Sequence, residues 1–274
     1  MSEENDFGYE AFAGNPFYTE INRCLVRLTG LEPPCTVVDL GAGTGAVTRL
    51  IAEELKCVGD ESEIIAVEPS RSALAIARRN LETANGVLVR FVQADAERFS
   101  QFVGGPVHAV FFCNAIHLVR KKTVVVREMY RSLQMGGTLS LNTSFFVGAE
   151  PPESLPFYRR TMSKALRYLR RRYGLFPDRD QRAVARQPLS REQYIDLLET
   201  NGFQVRKNEV VTVPMPLKGF EDISGYSLFI EGALPGIPLD LGKEALQLGV
   251  REAFAELGLE TSPRNWLLVV AEEK

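Results

Sequence analysis

Histidine is nearly absent from this chain, with two in 274 residues. With only His108 and His117 available, the usual zinc sites built on several imidazoles are excluded. Cysteine is scarce too. Cys24, Cys35, Cys57 and Cys113 show no C-x-x-C spacing, which argues against a zinc ribbon or a redox dithiol and for free thiols in a reducing compartment. No metal site is therefore expected. No apolar run approaches the ~20 residues of a membrane span, and residues 1–6 are acidic with no apolar stretch behind them, unlike a signal or transit peptide. Net charge is only −3 with a pI near 5.7, so general affinity for nucleic acid or membrane surfaces is not expected. What remains is a soluble, cytoplasmic protein, long enough to bury one large α/β core with a modest cap.

What is present is more specific. Val37-Val38-Asp39-Leu40 runs into Gly41-Ala42-Gly43-Thr44-Gly45, an apolar strand followed by a glycine-rich turn. Such glycines remove the side chains that would hold a ligand away from the backbone, leaving the N–H groups of the next helix start to meet it. Gly41-x-Gly43-x-x-Ala46 also satisfies the dinucleotide fingerprint, so the turn alone does not choose a cofactor. Asp39 begins to choose. A pyrophosphate over a helix N-terminus is favoured by positive potential, and a carboxylate beside it opposes that. A ligand carrying a sulfonium or ammonium suits Asp39 better. A second strand, 63–67, ends in Glu68-Pro69-Ser70, where a carboxylate can accept both hydroxyls of a ribose. A third, 87–93, ends in Ala94-Asp95-Ala96, and a fourth, 107–112, in Cys113-Asn114-Ala115.

In this order and at these spacings, the 39–45 turn, Glu68, Asp95 and the Asn114 turn resemble the class I S-adenosylmethionine (SAM)-dependent methyltransferases of the small-molecule type. The resemblance covers about 31–146, resumes near 188–215 and returns at the last strand. It implies an α/β fold with a Rossmann-like, seven-stranded, mostly parallel sheet, the last strand antiparallel and helices on both faces. It implies SAM as methyl donor and S-adenosylhomocysteine as product. Gly41, Ala42 and Gly43 would then approach the methionine part and Glu68 the ribose. Asp95 would meet the adenine amino group, with Pro69 and Ala96 flanking the ring and Asn114 facing the methionine moiety. Tyr9 and Tyr18 are placed to close over donor or acceptor, as N-terminal tyrosines do in similar enzymes. Asp39 and Asp95 could instead simply cap the helices that follow them.

Helical stretches at 44–55, 70–81 and 123–133 alternate with the strands, and 138–146 follows Met135-Gly136-Gly137 as a fifth strand. Ser190-Arg191-Glu192-Gln193 opens another helix with a capping box. Strands are expected at 203–213 and 265–271. Residues 1–30 are expected as a helical lid on a domain of 31–274, with cap insertions at about 147–188 and 214–263. In this topology both insertions leave the carboxyl edge of the sheet, where they would exclude water and shape an acceptor pocket. An oligomer interface or surface elaboration is the competing reading.

Along 154–173, Leu155, Tyr158, Met162, Ala165, Leu166, Leu169 and Tyr173 share one arc, and six basic residues the next. Ten Lys/Arg stand against four Asp/Glu over 147–188. The basic face suits solvation and pairing with acids, an anionic substrate or a transient membrane contact. RNA fits least, because Arg170-Arg171-Arg172 lacks interleaved aromatics. The second insertion is rich in large apolar residues around Leu234-Pro235-Gly236-Ile237-Pro238-Leu239, which suggests a hydrophobic acceptor.

Methyl transfer from a sulfonium is an in-line displacement, so the protein mainly positions the acceptor and excludes water. An oxygen acceptor also needs a base, and His117, three residues past Asn114, is the candidate, with a structural role the alternative. No Asn-Pro-Pro-Tyr-like motif and no catechol-type carboxylate set is present, leaving O- or C-methylation of a small, lipophilic acceptor. An NAD(P)-dependent Rossmann oxidoreductase, or a catalytically silent SAM-binding regulator, is the competing class.

Overall fold

Short, mostly apolar runs make the central strands of this protein. The computed structural model describes residues 8–56, 61–82, 87–178 and 188–274. The acidic residues 1–6, Cys57 and the stretch 179–187 of the first insertion lie outside these. In chain order the first elements are α1 (Glu10–Ala13), α2 (Pro16–Thr29), β1 (Thr36–Leu40), α3 (Ala46–Lys56), β2 (Glu63–Val67), α4 (Arg71–Leu81), β3 (Leu88–Val92), α5 (Ser100–Val103) and β4 (Val107–Cys113). They continue with α6 (Lys122–Ser132), β5 (Leu133–Thr143), α7 (Leu155–Tyr173), α8 (Arg191–Glu199), β6 (Phe203–Pro216), α9 (Leu217–Ile223), α10 (Ser227–Ala233), α11 (Leu239–Leu257) and β7 (Thr261–Glu273).

The chain divides into two units. One comprises residues 18–147, 189–211 and 266–274 and holds the sheet, ordered β3-β2-β1-β4-β5-β7-β6. β1 pairs in parallel with β2 and β4, β2 with β3, and β4 with β5, whereas β7 runs antiparallel to β5. β1, β2 and β4 are buried almost throughout, without alternation, because helices cover both faces. Chain order reverses between β1 and β4, the switch point at which open α/β sheets bind ligands beyond the strands' carboxyl ends.

Several local expectations hold. Ser70 caps α4 by accepting the N–H of Ala73 at 3.2 Å, and Ser190 and Gln193 form the reciprocal capping box of α8. Several boundaries move: β5 ends at Thr143, β6 runs on to Pro216 and β7 spans Thr261–Glu273. α3 begins at Ala46 rather than Thr44, because Gly45 takes φ +86° and stays outside the helix. β5 begins at Leu133 rather than Thr138: Val107 pairs with Leu133 and Ala109 with Thr138, so Met135-Gly136-Gly137 forms a bulge. His108, opposite that bulge, accepts the Thr36 N–H on Nδ1 at 3.0 Å, a structural role.

The other unit gathers residues 1–17, 148–188 and 212–265. Its spine is α7 against α11. A side chain on Gly249 would meet the Thr161 carbonyl at 2.5 Å and the Ala165 N–H at 3.3 Å, so glycine is what lets the helices approach. The buried face of α7 is Phe157, Thr161, Ala165 and Leu169; of the expected arc, Ala165 and Leu169 are buried and Leu155, Tyr158 and Met162 half-buried, and the face is rotated toward Phe157 and Thr161. Leu166 and Tyr173 are exposed. Small side chains opposite a glycine outcompete larger ones for the contact. Phe157 stacks among Phe220 and Phe254, with centroids 4.6 and 5.1 Å away. Asn15 donates to Asp222 at 2.9 Å, and Tyr9 packs edge-on to Tyr226.

Candidate functional site

The glycine turn is shaped by backbone bonds to the neighbouring strand. The N–H groups of Gly41 and Ala42 both donate to the Val67 carbonyl, at 2.8 and 3.0 Å. Gly41 and Gly43 hold φ of +71° and +54°, conformations costly for other residues. A side chain at Gly41 would also press on Ala115 at 3.2 Å, whereas the space at Gly43 is open within 4 Å. Glu68, at the tip of β2, reaches into this turn: Oε2 accepts the Gly43 N–H at 3.0 Å and Oε1 the Ser70 N–H at 3.1 Å. Each carboxylate oxygen keeps a lone pair beyond these bonds.

Asp39 lies beneath the turn, only 1 % exposed. Its Oδ2 accepts the Thr48 hydroxyl at 2.6 Å. Burial pushes its carboxyl up to about 6; the Thr48 bond opposes this and the nearby Glu68 charge adds to it. Burial also raises Glu68, against the lowering effect of its two N–H donors. Cys113, at the end of β4, is held well above the usual thiol range by burial and by the Asp39 charge, so it stays a thiol.

Asn114 follows with φ +48°, a conformation asparagine tolerates better than most residues. Its N–H donates to the Asn142 side chain at 3.0 Å, and its Oδ1 accepts the Ser144 N–H at 3.2 Å. Its Nδ2 is buried and has no acceptor among the described residues. A buried amide left this way costs about 1–3 kcal/mol, which marks it as a group waiting for a partner. Asn142 continues the chain of amides: its Nδ2 donates to Asn22 at 2.8 Å, and Asn22 donates to the Tyr18 carbonyl at 2.7 Å. Buried Tyr18 is thereby tied to the Asn114 turn through α2.

His117 is buried in a short 3₁₀ turn, stacked on Phe145 at 4.2 Å, with Nδ1 3.3 Å from the Thr143 hydroxyl. Asp95 differs from the other tips. It is largely exposed and pairs with Arg98 at 3.4 Å. Pro69 is exposed and accepts Gln93 Nε2 on its carbonyl at 3.1 Å, tying the tips of β2 and β3; Ala96 is half-buried. The structure thus joins Asp39, Gly41, Ala42, Gly43 and Glu68 in one bonded turn, and Asn114 with Tyr18 in one amide chain. Among the described residues, Asp95 bonds to Arg98 and neither Asp95 nor Ala96 hydrogen-bonds to either group. Thr48, Asn142 and Asn22 escaped the sequence reading. Asn142 alone carried a signal, an amide inside an apolar strand where asparagine is disfavoured.

Sheet order, glycine turn after β1 and acid at the tip of β2 define a class I, Rossmann-like methyltransferase fold. Residues 37–137 match the family described as "Methyltransferase domain". Over that stretch, less than half of its length, the chain is similar to the methyltransferase domains of this family. Its relatives include the ubiquinone/menaquinone biosynthesis C-methyltransferase UbiE of Legionella pneumophila (strain Lens), 28% identical over 133 residues, 47% of this chain and 52% of the relative. The chain thus spans about half the length of the curated relatives it matches. Among solved structures, a putative methyltransferase from Bacillus halodurans C-125 superposes with a TM-score of 0.59 at 17% identity, covering 92% of this chain and 98% of that one. The mycolic acid cyclopropane synthase CmaA1, complexed with S-adenosylhomocysteine and CTAB, does so with 0.57 at 12% identity, covering 93% and 84%. These structures share the fold.

The residues present fit SAM. The buried Asp39 carboxylate complements a cationic ligand and opposes a pyrophosphate. Glu68 has lone pairs for ribose hydroxyls, Gly43 leaves room against the backbone, and the Asn114 amide lacks a partner. A dinucleotide loses its main support, since the charge under the turn has the wrong sign for it.

Proposed function

We propose that this protein is a methyltransferase that moves the methyl group of SAM to a carbon or oxygen atom of a small, lipophilic acceptor. The observation that carries the reading is the buried Asp39 carboxylate beneath an open glycine turn whose backbone Glu68 holds. SAM supplies an electrophilic methyl on a sulfonium, and the protein's part is to bind, orient and exclude water. Asp39 favours positive charge at the methionine end, Glu68 takes the ribose hydroxyls, and Asp95 meets the adenine edge with Pro69 and Ala96 at the ring. Asn114 gives its Nδ2–H to the methionine carboxylate, and Tyr18 packs beside the donor.

His117 is the group that takes a proton from the acceptor. With Nδ1–H donating to Thr143, Nε2 becomes the basic atom. The "C-methyltransferase" in the relative's name supports carbon as the methylated atom, and its place in quinone biosynthesis supports an aromatic, lipophilic acceptor. The test is turnover of SAM with a panel of phenols, quinols and polyketide-like acids, following S-adenosylhomocysteine and product mass. A methylated apolar product supports the reading, and about 10²–10⁴-fold slower turnover in His117→Gln supports the base. SAM binding without turnover on any acceptor would favour a regulator.

A further inference from the structure

The basic stripe of α7 divides into two halves. Toward its start two of its three cations are paired: Arg160 with Glu256, and Lys164 3.1 Å from Glu252 and 2.8 Å from Glu256 on α11. Toward its end, Arg167, Arg170 and Arg171 stand at i, i+3 and i+4 on one face, exposed, and none has an acidic partner among the described residues. These three line a cavity of about 1110 Å³ whose apolar wall includes Met162, Leu175 and Phe176, and which closes on the end of α10. Phe176 is 68 % exposed. A helix dipole favours cations in a last turn, but it asks for no apolar cavity beside them. The volume exceeds that of an ordinary small-ligand cleft, ~300–1,000 Å³.

We propose that this cavity is a docking site for anionic phospholipid at a membrane surface. The three guanidiniums take the phosphate, and Met162, Leu175 and Phe176 take the first part of the acyl chains. Guanidinium forks match phosphate oxygens geometrically, and exposed aromatic side chains beside basic ones are the composition of an interfacial contact. No helix among the described residues is long and apolar enough to cross a membrane, so such a contact would be peripheral.

Flotation of the full chain with vesicles tests this, using pure phosphatidylcholine against equal parts phosphatidylcholine and phosphatidylglycerol. Binding is expected only to the anionic vesicles and is expected to vanish in high salt. Each charge removed weakens it about fivefold, so Arg170→Gln/Arg171→Gln loses about twenty-five-fold. Phe176→Ser weakens it as well. Arg206→Gln, which removes an equal charge from a pair with Glu272 at 2.7 Å, is expected to change binding much less than either cavity arginine. No binding to anionic vesicles, an equal loss in Arg206→Gln, or equally tight capture of inorganic phosphate without lipid would overturn the proposal. Because the readout is binding, it stands or falls independently of methyl transfer.

Discussion

At position 39 the chain buries a carboxylate that water would otherwise solvate, and this has consequences for pH. Its pKa of about 6 lies above the ~3.9 of an unfolded aspartate, so the folded state holds the proton more tightly. Its contribution to stability is therefore fully present below about pH 4 and is lost as pH rises through 6, a cost of about 3 kcal/mol at neutral pH. Asp39→Asn should raise the Tm of the ligand-free protein at pH 7.5 and leave it little changed near pH 4, while weakening SAM binding. An equal Tm shift at both pH values would contradict this origin. In the native protein, SAM affinity should fall about tenfold between pH 7.5 and pH 5, as Asp39 becomes protonated. The raised pKa of Glu68 acts in the same direction. Glu68→Ala removes the acceptor of the Gly43 N–H and the proposed acceptor of the ribose, and should weaken SAM binding by about 1–3 kcal/mol. Unchanged affinity would place the ribose elsewhere.

Among the elements, the strand tips were the legible part. Each tip is an apolar run stopped by glycine, aspartate, glutamate or asparagine, and that punctuation survives in a single sequence. The bulge at the start of β5 was hidden because Met135-Gly136-Gly137 signals a helix end equally well. The packed face of α7 was legible only in part: Ala165 and Leu169 belong to the apolar arc, but Thr161 matters through its smallness, which no hydrophobicity pattern rewards. The Asn142–Asn22 bond joins residues 120 positions apart, a pairing only tertiary structure creates. Asn142→Ala should cost about 2–3 kcal/mol in denaturant unfolding, since Asn22 Oδ1 loses its buried donor and the Asn114 N–H one of its acceptors. A loss below about half a kcal/mol would show that water replaces the amide. Gly249→Val forces a branched side chain onto the Thr161 carbonyl and should destabilise by at least 1–3 kcal/mol. Wild-type stability in that variant would mean the two helices separate freely.

For the whole molecule, the two units differ in how far the family match reaches. Residues 37–137 carry the family match and belong entirely to the sheet unit, whereas the segments 1–17, 148–188 and 212–265 of the other unit all fall outside it. The residues proposed for the donor, from Asp39 to Asn114, lie within the family match, and the part outside it holds the α7 arginines and the aromatic cluster around Phe157. The residues proposed for the donor site could be picked out in the sequence because they sit at fixed tips of a common sheet. The acceptor left no such pattern. The most direct measurement is calorimetry of the full chain at pH 7.5 with SAM, S-adenosylhomocysteine, NAD and NADP side by side. Micromolar binding of the two sulfur nucleotides alone is the expected result. Binding of NAD or NADP with no affinity for SAM would contradict the assignment of Asp39, Glu68 and the glycine turn to a methyl donor.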